Sequence, residues 1–133
     1  MPLSKRLGIV KSNLPDYLLL LQFDPANLNH VHTIHASVIY SLAEISSGYF
    51  LKKHFPGYAE KTVPILRKST IKYKKLCTGD LYSKVIPTYQ NKETVIQTLQ
   101  QNKKVSVKLN VQLFNAQHQQ VVQADFEWFI SLP

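Results

Sequence analysis

The chain has 133 residues, 44% hydrophobic and 18% charged, with 16 Lys and Arg against 8 Asp and Glu for a formal net charge of +8. That length fits one domain, residues 1–133, with a real core, and the composition excludes a disordered or low-complexity polymer. The basic excess favours anionic partners (nucleic acid, anionic lipid or a phosphate-bearing cofactor) without choosing among them, and a merely solubilising role for the lysines stays open.

The first residues, MPLSKRLGIVKSN, are basic but lack the apolar stretch of a signal peptide, so a cytoplasmic protein is expected. Tyr17 to Phe23 (YLLLLQF) reads as a buried strand closed by Asp24-Pro25, and its apolar run is too short to cross a bilayer. Ala36 to Phe55 reads as a long helix stopped by Pro56-Gly57. Its apolar residues cover almost every direction of the helical wheel, which predicts a helix enclosed by protein. Residues 62 to 75 alternate as a strand, with Val63, Ile65, Ser69, Ile71 and Tyr73 predicted on one face and Lys68, Thr70, Lys72 and Lys74 on the other. Cys77, the single cysteine, excludes an internal disulfide framework and reads as a small hydrophobe. Thr78 to Asp80 is a turn, 81–89 a strand, and Asn91 caps a short helix through Gln101. Two cleanly alternating strands, 105–114 and 121–130, close the chain. Amphipathic antiparallel strands with one early apolar helix predict an α+β fold, the sheet wrapped around that helix.

The segment NHVHTIHASVIYSLAE, 29–44, is where chemistry is expected. Between His35 and Lys52, Glu44 is the only formally charged side chain. A carboxylate in apolar surroundings is a candidate general base or nucleophile, or else a polar group satisfied by Tyr40, a serine or a lysine. The amides of Ala36 and Ser37 open the helix, where unpaired N–H groups and the helix dipole favour an oxyanion. His35 and Asn29 are candidate donors beside them, and plain capping by His35 or Ser37 is the competing role. Glu44 lies eight residues past Ala36, about 12 Å along the axis at ~1.5 Å per residue. One carbonyl cannot touch both, so a shared site requires donors and carboxylate from different chains, as a two-fold homodimer provides. His30, His32 and His35 match no zinc spacing, and no metal is expected.

Asn29, His35 and Glu44 together resemble the helix-entry motif of the hotdog-fold acyl-CoA thioesterases, in which an Asp or Glu follows the His by nine residues. STIKYKKLCTGDLYSKVIP and the closing strand pair are similar to the family's remaining strands, so the resemblance covers residues 17–132. The closest flavour is the branch of uncharacterised hotdog proteins assigned as thioesterases, among them a domain fused to some bacterial acetyltransferases. The resemblance implies a hotdog fold around helix 36–55 and a homodimer, or two homodimers paired as a tetramer. It implies an acyl-CoA or acyl-carrier-protein substrate, with coenzyme A as part of the substrate and no other cofactor. Glu44 would activate water or attack the thioester, with Asn29 and His35 in support and the Ala36 and Ser37 amides of the other subunit holding the oxyanion. Arg67, Lys68, Lys72 and Lys74 would meet the coenzyme A phosphates. Two departures stand out: Ala36-Ser37 replaces the family's usual glycine pair, and His32 replaces a glycine common in the entry loop.

Three other readings compete. One is a non-catalytic acyl-thioester binding module on the same fold. A dehydratase of related fold would also use one carboxylate and one histidine. A basic nucleic-acid-binding protein is suggested by the charge and by Lys72-Tyr73-Lys74, and it ranks lowest because the aromatics form no evident stacking platform.

Overall fold

A computed structural model describes residues 2–58 and 60–133. The chain order is α1 (Pro2–Leu7), β1 (Ile9–Lys11), β2 (Leu19–Leu21), α2 (Ala36–His54), β3 (Val63–Tyr73), β4 (Leu81–Pro87), α3 (Lys92–Asn102), β5 (Lys104–Phe114) and β6 (Gln120–Ser131). The strands form one antiparallel sheet in the order β1-β2-β4-β5-β6-β3. Alternation decides which face of it is dry. Val107, Leu109, Val111 and Leu113 of β5 and Val122, Ala124, Phe126 and Trp128 of β6 are all buried. They join Ile39, Leu42, Ala43 and Leu51 of α2 in one core. Each such large side chain contributes about 1.5–3 kcal/mol by leaving water. This is the hotdog arrangement, an antiparallel sheet around one long helix.

Local signals place the ends of both main helices. The His35 side chain caps α2 by accepting from the Ser37 N–H, and the Phe55 N–H closes its last turn on the Leu51 carbonyl. At α3, Asn91 accepts from the Thr94 N–H at 2.8 Å. Serines let α2 sit close to the sheet. The Ser46 hydroxyl donates to Ser83 Oγ at 2.7 Å, and the Leu19 N–H reaches the same atom at 3.1 Å. The Trp128 indole donates to Ser47 Oγ at 2.9 Å. Replacing Ser83 with alanine strands two buried donors at once. The expected result is a loss of about 1–3 kcal/mol, read as a lower urea midpoint with unchanged slope.

Two expectations need correction. The ladder between β3 and β6 slips between Leu66 and Lys68. This bulge at Arg67 puts two residues of β3 against one of β6 and reverses the face of everything before it. Val63 and Ile65 therefore point outward, 52% and 53% exposed, on the side of Lys68, Thr70 and Lys72. Pro64 and Leu66 take the inner positions, opposite Ile130 and Trp128, in line with Ser69, Ile71 and Tyr73. Nor is α2 enclosed all round. Ser37 and Lys52 are exposed, and Ser41, Glu44 and Gly48 only half-buried. These five positions recur every three or four residues and make one open stripe along the helix. The sheet packs on α2 chiefly through β4 and β5 and leaves this stripe uncovered within one chain.

Candidate active site

The loop before α2 is organised by one side chain. Asn29 Oδ1 accepts from the N–H groups of Val31 at 3.0 Å and Thr33 at 3.1 Å, and its amide donates to Thr33 Oγ1 at 2.7 Å. Such a short side chain imitates a backbone turn and fixes the loop. Asn29 is therefore occupied inside the loop and positions the helix entrance. Within the loop His32 has φ +63°. That left-handed conformation is free for glycine and costly for other residues. It gives a physical reason for the glycine common at this place in the resembling family. Replacing His32 with isoleucine, whose branched Cβ tolerates this region worst, is expected to lower stability by about 1–2 kcal/mol, whereas glycine is accepted. Thermal melting of the two variants checks the contrast.

At the helix start, His35 Nδ1 accepts from the Ser37 N–H at 3.1 Å and meets the Ser37 hydroxyl at 2.8 Å. The Ser37 amide is thus used by the cap. Ala36, one position earlier, has no carbonyl in the helix for its N–H. Both residues and His35 are exposed. Two tyrosines that the sequence did not assign to the helix entrance frame this corner. The Tyr73 hydroxyl donates to the Ala36 carbonyl at 3.2 Å, and Tyr40 shares a 2.8 Å hydrogen bond with Ser69. Burial, and next the neighbouring Tyr40, raise the Tyr73 pKa. Tyr73 lies on the inner face of β3, so its alternation with the lysines was the available signal.

Glu44 stands two turns further along the same open stripe as Ser37. Its carboxylate makes no hydrogen bond or ion pair with any described residue. Tyr40, a partner expected for a purely structural glutamate, is turned to Ser69 instead. Burial raises the Glu44 pKa above the usual carboxylate value, because leaving water disfavours the anion. A half-buried, unpaired carboxylate of raised pKa can take a proton from water or attack an electrophile.

The cationic candidates lie elsewhere. Lys68 and Lys72 sit across from Glu127 and Gln123 on the outer sheet face, away from α2. The Arg67 guanidinium lies 4.8 Å from the centre of the Phe129 ring. Lys74 Nζ donates to Gln120 and, at 3.2 Å, to Gln123. Within one chain these residues and Glu44 occupy different faces. Cys77 is buried, and burial pushes its thiol pKa up to about 11, which suits a packed hydrophobe and not a nucleophile. Among the described residues no group of three His, Cys, Asp or Glu side chains is placed to hold a metal ion, and no helix is long and apolar enough to cross a membrane.

An apolar cavity of about 220 Å³ has Gly48, one turn beyond Glu44, in its wall. Leu51 of α2 and Phe55 just after it, Val95 and Leu99 of α3, and Trp128 and Ile130 of β6 are among its lining residues. No periodic pattern marked these residues as a site. Each reads simply as core, and only the tertiary placing of α3, which packs on β5, leaves space between it and α2.

Comparison with known proteins agrees with this fold. Residues 16–130 match the model of a family described as a domain of unknown function, DUF4442. None of the curated proteins matches the chain. Among solved structures, a Pseudomonas aeruginosa protein described as a probable thioesterase superposes with a TM-score of 0.84 at 19% identity, covering 100% of this chain and 89% of that one. A Shewanella oneidensis protein provisionally named a thioesterase gives 0.78 at 25% identity, covering 100% and 90%. A Bacillus halodurans protein solved with CoA gives 0.76 at 14% identity, covering 98% and 76%.

Proposed function

The chain belongs to the DUF4442 family, and from that premise we propose that it hydrolyses acyl thioesters of coenzyme A or an acyl carrier protein. The observation that carries the reading is Glu44, an unpaired, half-buried carboxylate beside an apolar cavity on a fold shared with proteins described as thioesterases. Water attacks the thioester carbon with Glu44 taking its proton, or Glu44 itself attacks, displaces the thiolate to form an anhydride, and water then cleaves that anhydride and restores the Glu44 carboxylate. The C–S bond breaks, the thiolate leaves and is protonated, and a carboxylic acid remains. A helix N-terminus would hold the oxyanion through the Ala36 N–H. The carboxylate and that donor are about 12 Å apart along one helix, so they would act in a homodimer, each site combining Glu44 of one chain with Ala36 of the other.

The free edge of β3 supports such pairing. This strand runs eleven residues, Val63–Tyr73, at the end of the sheet. Its unpaired backbone groups are a template for a second strand. Pairing β3 with its copy would bring the open stripes of two helices to one seam, and a protein monomeric by light scattering would overturn the shared site. Within the dimer, Arg67, Lys68, Lys72 and Lys74 flank the seam as point charges for phosphate. The activity test is thiol release from short, medium, long and aromatic acyl-CoAs by the purified protein. Turnover that saturates with one class establishes the hydrolase.

One observation favours a second reading, a binding module without turnover. The Ser37 amide, one of two expected oxyanion donors, is already taken by the His35 ring. Tight binding of acyl-CoA with no thiol release above buffer would select that reading.

A further inference from the structure

We propose that the cavity between α2, α3 and the end of β6 seats the acyl tail of the substrate, with Gly48 as the part of its wall nearest Glu44, and that it selects straight aliphatic chains of medium length. This rests on the thioester reading above and adds the substrate class to it. The wall has almost nothing to offer a polar ligand. Of its polar atoms, the Tyr58 hydroxyl already accepts from Gln100 at 2.9 Å, and the Thr62 hydroxyl donates to the Tyr58 carbonyl at 2.8 Å. Lys52 is exposed, with its charge available to water. An occupant of such a space gains from burying hydrocarbon and from little else.

Position links the cavity to the chemistry. Gly48 follows Glu44 by one turn on the open stripe, about 6 Å along the axis. A thioester carbonyl held at the Glu44 carboxylate therefore has the cavity wall within one helical turn. Volume sets the length. A cavity of about 150 Å³ accommodates benzene, six carbons, so 220 Å³ scales to roughly eight or nine carbons. A Cβ added at Gly48 would stand 3.5 and 3.6 Å from Trp128 ring atoms, in ordinary contact, so alanine fits, while a larger side chain must displace that ring or take up cavity space.

Trp128 is the only tryptophan of the chain and lines the cavity, so its fluorescence reports occupancy without any turnover. The probes are the non-hydrolysable thioethers S-ethyl-, S-octyl- and S-hexadecyl-coenzyme A, titrated into wild type, Gly48→Val and Ile96→Phe. Ile96 faces the same space from α3, so it tests the cavity should the glycine variant not fold. The expected result is a saturable Trp128 response, S-octyl binding tighter than S-ethyl by roughly tenfold or more, and no further gain with S-hexadecyl. Either folded variant loses the octyl advantage and keeps S-ethyl binding. No Trp128 response, or S-octyl binding untouched in both folded variants, overturns the proposal. Hydrolysis is scored separately. A Trp128 response with no turnover removes the hydrolase and leaves the acyl pocket standing. Turnover of octanoyl-CoA with Trp128 silent removes the pocket and leaves the hydrolase.

Discussion

Glu44→Gln is expected to lower acyl-CoA turnover by about 10²- to 10⁴-fold, the range a positioned general base contributes. Glutamine keeps the size and polarity of the side chain and removes only the ability to take a proton or attack. The fold should therefore survive, and a pH series separates chemistry from stability. Burial raises the folded-state pKa of Glu44 above its unfolded value. Its proton is held more tightly in the folded chain, so stability falls as pH rises through the folded pKa. At pH 7 the anion is a cost that glutamine does not carry. Glu44→Gln should thus melt at or above the wild-type temperature at neutral pH, the gap closing as pH drops below the ordinary carboxylate range. Wild-type turnover should behave oppositely, rising with pH through the same raised pKa, because only the anion acts. Turnover equal in the two proteins would remove Glu44 from the reaction. Lost turnover with a lower melting temperature at pH 7 would mark the residue as structural.

Ala36→Pro is expected to lower turnover by about 10²- to 10³-fold, the loss typical of one oxyanion donor, with the helix intact. Proline is well tolerated at the first helical position, since the N–H it lacks has no partner in the helix and its fixed φ suits the first turn. The preceding residue, His35, has φ −61° and ψ 138°, the extended conformation that proline demands of its neighbour. The substitution thus deletes one amide hydrogen at the α2 entrance and little else. Unchanged melting with a fall in kcat and little change in substrate affinity would place the Ala36 N–H at the developing negative charge. Full activity would move the oxyanion site elsewhere. Mixing Ala36→Pro with Glu44→Gln chains adds a control for the shared site. If each site draws on two chains, mixed dimers regain one intact site and part of the activity.

Much of the architecture was legible because its causes are local. The alternation from Val105 to Leu113 and from Val122 to Ile130 marked strands that the sheet contains, and the wheel from Ala36 to Phe55 marked a helix that ends one residue earlier. Asn91 and Pro56-Gly57 marked boundaries through caps and backbone limits that act within a few residues. The short β1 and the six-residue α1 left no comparable pattern, being too brief for a period to show. In the candidate site, Glu44 stood out because a lone carboxylate among apolar neighbours is costly wherever it folds. The commitment of Asn29 to its own loop and of the Ser37 amide to His35 could not be read, since those residues were equally able to point outward.

The sequence by itself determined an α+β chain, a long apolar helix with one acid in it, and where along the chain the main strands lie, because side-chain period and solvation act residue by residue. Only the tertiary structure decided which face Val63 and Ile65 show. The bulge at Arg67 arises from pairing with β6, and one unpaired residue reverses the alternation that the sequence displays. Tertiary packing likewise left one stripe of α2 open and a space beneath α3. Whether an apolar residue becomes wall or filling depends on what lies opposite it, and its own sequence neighbours do not carry that information.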